Sequence, residues 1–232
     1  MKKRIAVVCL VALGILSISG IVAVAGGFID SDILNFFRSI KEGRNDKTVA
    51  ATVNGEPIYK SSVKFMKGFY KLSTALSTKQ INEMDIPDEE KQVLLEKLAN
   101  RDSQKTDKQI LEDLIKQKVV LQEAHKKGIT VSDDQAYQYA KEQLELCKKA
   151  GLAEDATEED KENYEFMLAY MEEMQLTEAE YINEAKDAYK NMMERALLYN
   201  DFKEAYLQNG GDENELENAM ESYENELIKK QR

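Results

Sequence analysis

The chain has 232 residues, 32% of them charged, with 43 acidic against 32 basic side chains and a net charge of −11. The imbalance is regional: residues 28–153 carry 21 basic and 20 acidic side chains, whereas residues 154–232 carry 8 and 23. Without a basic excess the chain offers no extended face for nucleic acid, and with His125 as its one histidine it has no His-based triad, metal cluster or proton relay to assemble.

Lys2, Lys3 and Arg4 precede an apolar run over residues 5–25. A run of that length suits the ~20 residues that span a bilayer better than the ~7–15 of a signal-peptide core. We read residues 1–27 as a signal anchor, with residues 5–25 in the cell membrane and the N-terminus inside by the positive-inside rule. The alternative is a signal peptide cleaved near Ala25, after the small-x-small sequence Ala23-Val24-Ala25, and secretion. Either fate makes the remainder extracytoplasmic. Residues 28–47 read as a juxtamembrane segment and linker: the apolar stretch 32–40 (DILNFFRSI) suits a membrane surface or a continuation of the anchor, and 41–47 is the linker.

Residues 48–59 (TVAATVNGEPIY) carry the one good strand signal. Val49, Ala51 and Val53 alternate with smaller or polar residues, and Asn54-Gly55 is a strong turn dipeptide. Everything after it reads as helix. Helix one covers about residues 62–76, burying Phe65, Phe69, Leu72 and Leu76; helix two starts near Pro87. Helix three, about 107–127, opens on a Thr106–Gln109 capping box and stops at Gly128; helix four, about 133–150, opens on Ser132–Gln135 and stops at Gly151. Thr157 caps helix five, about 158–174. A break at Gln175-Leu176 and a Thr177–Glu180 box start helix six, about 178–207, which ends at Asn209-Gly210-Gly211. Residues 212–232 form an acidic C-terminal helix capped by Asp212.

The opening TVAATVNGEPIY, the segment ILEDLIKQKVVLQEAHKKGITVSDDQ at 110–135, and the later helix pair within 168–207 occur in an order that resembles the SurA/PrsA-type extracytoplasmic foldases. The resemblance implies a mostly α fold: a multi-helix SurA-N-like chaperone domain over residues 48–211, with one short strand and turn at its start and an N-terminal membrane segment before it. It implies that unfolded or extended polypeptides are the partners. Many relatives carry a parvulin-type prolyl isomerase domain after the long helix. Here about twenty residues follow Gly211, against the roughly ninety such a domain needs, so isomerase activity is not carried over.

No Walker loop, Gly-rich dinucleotide turn, H-E-x-x-H or C-x-x-C occurs, so we expect no enzyme, no cofactor and no metal site. Cys147, at apolar helical spacing from Ala140 and Leu144, reads as a small buried hydrophobe. The one constellation with binding character is a Met/Tyr stripe. Met167, Met171 and Met174 repeat along helix five, and Tyr189 and Met193 lie on helix six. Met repacks and Tyr combines an apolar body with a polar tip, as promiscuous peptide binders require; ordinary helix–helix core is the competing reading of the same residues. We expect helices five and six to fold back as a hairpin arm, exposing those five residues as the peptide-binding face of a groove against the N-terminal helices. The function expected is an exported chaperone-like module without isomerase activity; the alternative is a structural or assembly protein of the envelope with one dedicated partner. The oligomeric state is open.

Overall fold

The structure is a computed structural model that describes residues 31–99 and 105–230. Residues 5–25, on which the anchor and cleavage readings rest, lie outside the described residues. Among those described, no helix is long and apolar enough to cross a membrane.

Eight α-helices and one hairpin make up the described chain. The order is α1 (Ser31–Gly43), β1 (Val49–Val53), β2 (Glu56–Tyr59), α2 (Lys60–Glu83), α3 (Asp88–Ala99), α4 (Asp107–Lys126), α5 (Asp133–Gly151), α6 (Glu158–Met174), α7 (Glu178–Gln208), a 3-10 turn (Glu213–Glu215) and α8 (Leu216–Lys229). Where one strand was expected, two pair antiparallel. Asn54 (φ 48°) and Gly55 (φ 83°) both take the left-handed conformation, which matches the twist of the flanking strands. Pro57 sits in β2 without cost because a two-stranded sheet has only edges.

Helix boundaries follow local chemistry. Thr106, Ser132, Thr157 and Thr177 each accept from the N3 backbone N–H while the N3 side chain reaches back, closing capping boxes on α4 to α7. Gly128 (φ 75°) ends α4 in a Schellman turn: Ile129 N–H donates to Ala124 C=O at 2.9 Å, and the Ile129 side chain packs on Val120, Ala124 and Leu198. Gln175 (φ 58°) does the same for α6 without a glycine. α5 ends at Gly151 as expected, but without a left-handed turn. Gly151 is still helical, and its missing side chain is what lets α6 approach, since a Cβ there would lie 2.4 Å from Tyr164 Cβ and 3.0 Å from Asp160 C=O.

The core lies in linked clusters. Ile33, Phe36 and Phe37 of α1 pack with Leu72 of α2 and Phe166 of α6. The stretch expected at a membrane surface therefore presents its apolar face to the protein: 33, 36/37 and 40 form one helical stripe, and α2 and α6 cover it. Ala140 and Leu144 of α5 pack with Met167, Met171, Tyr181, Ile182, Tyr189 and Met192. Val53, Ile58, Val119 and Leu227 tie the hairpin to α4 and α8, so the acidic C-terminal helix is docked on the fold. α7 spans two of these regions, packing on both α5 and α4.

Candidate functional site: an aromatic cavity between the N-terminal helices and α5–α7

Phenylalanines of two helices face tyrosines of two others across a cavity of about 540 Å³. α1 contributes Phe36, Phe37 and Ile40; α2 contributes Phe65 and Phe69. The opposite side is built by Leu144, Cys147 and Ala150 of α5, by Phe166, Met167 and Tyr170 of α6, and by Tyr181, Ala185, Ala188 and Tyr189 of α7. The rings lock one another edge-on: Phe37 meets Phe166 at 4.9 Å and 74°, and Tyr170 at 5.3 Å and 82°. Gln143, Asp160, Asn163 and Glu184 are the polar residues of the lining. Glu184 accepts from Arg44 Nη2 at 2.5 Å, and Asp160 is held by Thr157, whose hydroxyl donates to it at 2.7 Å. The volume is that of a small-ligand pocket.

The walls behave as a low-dielectric environment. Burial, reinforced by the Glu184 carboxylate and opposed by Arg44, pushes the Tyr170 phenol up to about 12. Tyr181 is pushed up further in the same direction, again by burial first. Burial also raises the Cys147 thiol, and Asp160 adds to it, so this cysteine stays protonated and sluggish. Among the described residues, no group of three or more His, Cys, Asp or Glu side chains is arranged to hold a metal ion.

Of the five residues singled out in the sequence, Met167 and Tyr189 line the cavity, while Met171, Met174 and Met193 do not. The exposed face expected for them is absent. Met167, Met171, Met174 and Tyr189 are 6%, 8%, 5% and 4% exposed, and Met193 is half-buried against the same cluster. The cause is α5. Although the Gln175 turn reverses the chain between α6 and α7, both helices pack chiefly on α5 rather than on each other, and Ala140 and Leu144 fill the seam where the stripe was to lie open. The apolar groove against the N-terminal helices exists, but aromatic residues of α1 and α2 form most of that wall. Phe36 and Phe37 were missed because they follow an apolar segment and read as its continuation; the stripe Ile33–Phe36/Phe37–Ile40 was the signal.

Sequence reasoning also missed Glu194, 1% exposed on α7. Its carboxylate accepts from Val131 N–H at 2.9 Å and lies 2.7 Å from His125 Nε2, so it pins the α4–α5 connection to α7. The single histidine is thus the partner of a buried carboxylate.

This scaffold is a helical module with a single β-hairpin among the described residues. More narrowly, the chain belongs to the family of SurA-like N-terminal domains, whose family model matches residues 3–168. The match starts well before the strand and ends within α6. It takes in the α1, α2 and α5 walls of the cavity and part of the α6 wall; α7 lies beyond it. No curated protein and no solved structure matches the chain significantly.

Proposed function

We propose that the chain is an exported chaperone module that binds unfolded or extended polypeptide through apolar side chains inserted into the aromatic cavity, without isomerase activity. Residues 5–25 anchor it in the cell membrane with the N-terminus inside. The carrying observation is the cavity itself: rigid aromatic walls on four helices, open between the N-terminal helices and α5–α7, in a chain whose surface is otherwise heavily charged. Binding there draws on burial of client apolar surface at ~25 cal/mol per Å², so it is broad in specificity and weak per contact. Met167 and Tyr189 contact the client; Met171 and Met193, packed in the same cluster, support the wall from behind.

The test is a plug. Ala188 lines the cavity and is half-buried, so Ala188→Trp fills the space without opening a void. The wild-type chain should suppress aggregation of several unrelated unfolded proteins at near-stoichiometric ratios, and A188W should lose most of that while its thermal melt is unchanged. Undiminished suppression by a folded A188W would remove the cavity from the mechanism. No suppression by the wild type, with capture of one dedicated partner, would favour an envelope assembly role.

A further inference from the structure

We infer that α2 carries a lysine ridge that rests on anionic lipid headgroups. Between Glu56 and Glu83 the chain holds five lysines and no carboxylate, the reverse of a composition with excess acid. Lys60, Lys64, Lys67 and Lys71 follow one another at intervals of 4, 3 and 4, which places them on one face of the helix. Phe65, Phe69 and Leu72, which pack toward α1, occupy another. Lys60, Lys64 and Lys71 are exposed. Lys64 lies 3.4 Å from Asp46 and Lys67 2.6 Å from Asp107; among the described residues no carboxylate pairs with Lys60 or Lys71.

What covers the ridge follows from where the chain enters the fold. α1 runs back along α2: Thr48 C=O accepts from Lys60 N–H at 2.8 Å, Asp46 reaches Lys64, and Phe36 sits on Gly68, where a Cβ would meet its ring at 2.9 Å. The start of α1, Ser31, therefore lies toward Leu72, at the Lys71 end of the ridge. Only residues 26–30 separate it from the apolar run 5–25, a reach of at most roughly 18 Å. With that run in the bilayer, the Ser31–Lys71 end of the α1–α2 pair stands within roughly two Debye lengths of the headgroups, and laying the pair along the surface brings the rest of the ridge, about 16 Å long, to them as well. Four lysines on one face suit an anionic surface; Lys60 and Lys71, which pair with no carboxylate among the described residues, are each worth about fivefold in local affinity, and Lys64 and Lys67 add less because Asp46 and Asp107 offset them. The 23 acidic side chains of residues 154–232 are repelled by the same surface, which orients the molecule as the ridge attracts it.

This inference rests on the anchored reading above and is independent of the cavity. The full chain is placed in nanodiscs, one copy per disc, of phosphatidylcholine alone or with phosphatidylglycerol, and lysine acylation is followed by mass spectrometry. We expect reactivity at Lys60, Lys64, Lys67 and Lys71 to fall about fivefold or more in the anionic discs and to recover in high salt, with Lys149 and Lys230 unchanged as references. Equal reactivity in both lipids overturns the inference. So does protection that is already complete in phosphatidylcholine, because then something other than anionic headgroups covers the ridge. A chain that does not enter neutral discs at all overturns the anchor, and the ridge's role with it, while leaving the aggregation assay to judge the cavity.

Discussion

Glu194 is the residue on which local stability turns most sharply. A carboxylate 1% exposed is tolerable only while Val131 N–H and His125 satisfy it. Glu194→Ala strands the buried Val131 N–H and opens a void, and should cost about 3 kcal/mol in urea unfolding. Glu194→Gln keeps an acceptor for Val131 and an amide within reach of His125 Nε2, and should cost roughly 1 kcal/mol; equal losses in both variants would show that shape rather than hydrogen bonding matters. Tyr170 gives a pH signature. Its phenol is held at about 12 in the fold against an ordinary 10.0, so the unfolded chain loses that proton first. The stabilisation is whole below pH 10 and is lost as pH rises toward 12. Urea midpoints measured between pH 9 and 11 should decline, and Tyr170→Phe should flatten part of the decline, with Tyr181 and Tyr199 shifted in the same direction supplying the remainder. Neither residue was legible beforehand. One glutamate among 43 acidic side chains carries no mark of burial, and Tyr170 was passed over for the methionines beside it.

At the scale of elements, the sequence spoke clearly where local chemistry decides. The capping boxes of α4, α5 and α7, the Gly128 stop and the Asn54-Gly55 turn lie where the residues place them, because caps and positive φ depend on a few adjacent side chains. It misled where packing decides. β2 contains a proline and lacks alternation, and it forms because β1 offers an edge. Helix one was cut short at Leu76 because the apolar spacing weakens there, yet α2 continues to Glu83. α1 is the instructive case. Its apolar stripe was visible, but which surface it would meet was not, since an amphipathic helix suits a bilayer or a protein equally. Phe37, 0% exposed, settles its place. Phe37→Ala should destabilise the fold by about 3–5 kcal/mol, measured by denaturant titration of the full chain in detergent. A loss under about 0.5 kcal/mol, the level of an exposed site, would mean that α1 is not part of the core.

Over the whole molecule, the reading of the Met/Tyr stripe shows how far a pattern can go. Periodicity identifies a sticky face on α6 and α7, but a third helix of matching shape, α5, takes that face, and only the tertiary arrangement reveals it. What remains open is the space where α1 and α2 do not close fully against α5–α7. It is lined by rings too rigid and too mutually braced to collapse into it. The central claim is that this space receives client side chains. The most direct measurement places a photo-crosslinking amino acid at Phe69, which lines the cavity, or at Glu142, on the exposed side of α5, and illuminates the full chain with several unfolded proteins. The account predicts adducts from position 69 with each client, competed away by an apolar peptide, and none above background from position 142. Equal adducts from both positions, or none from position 69 while the chain still suppresses aggregation, would contradict it.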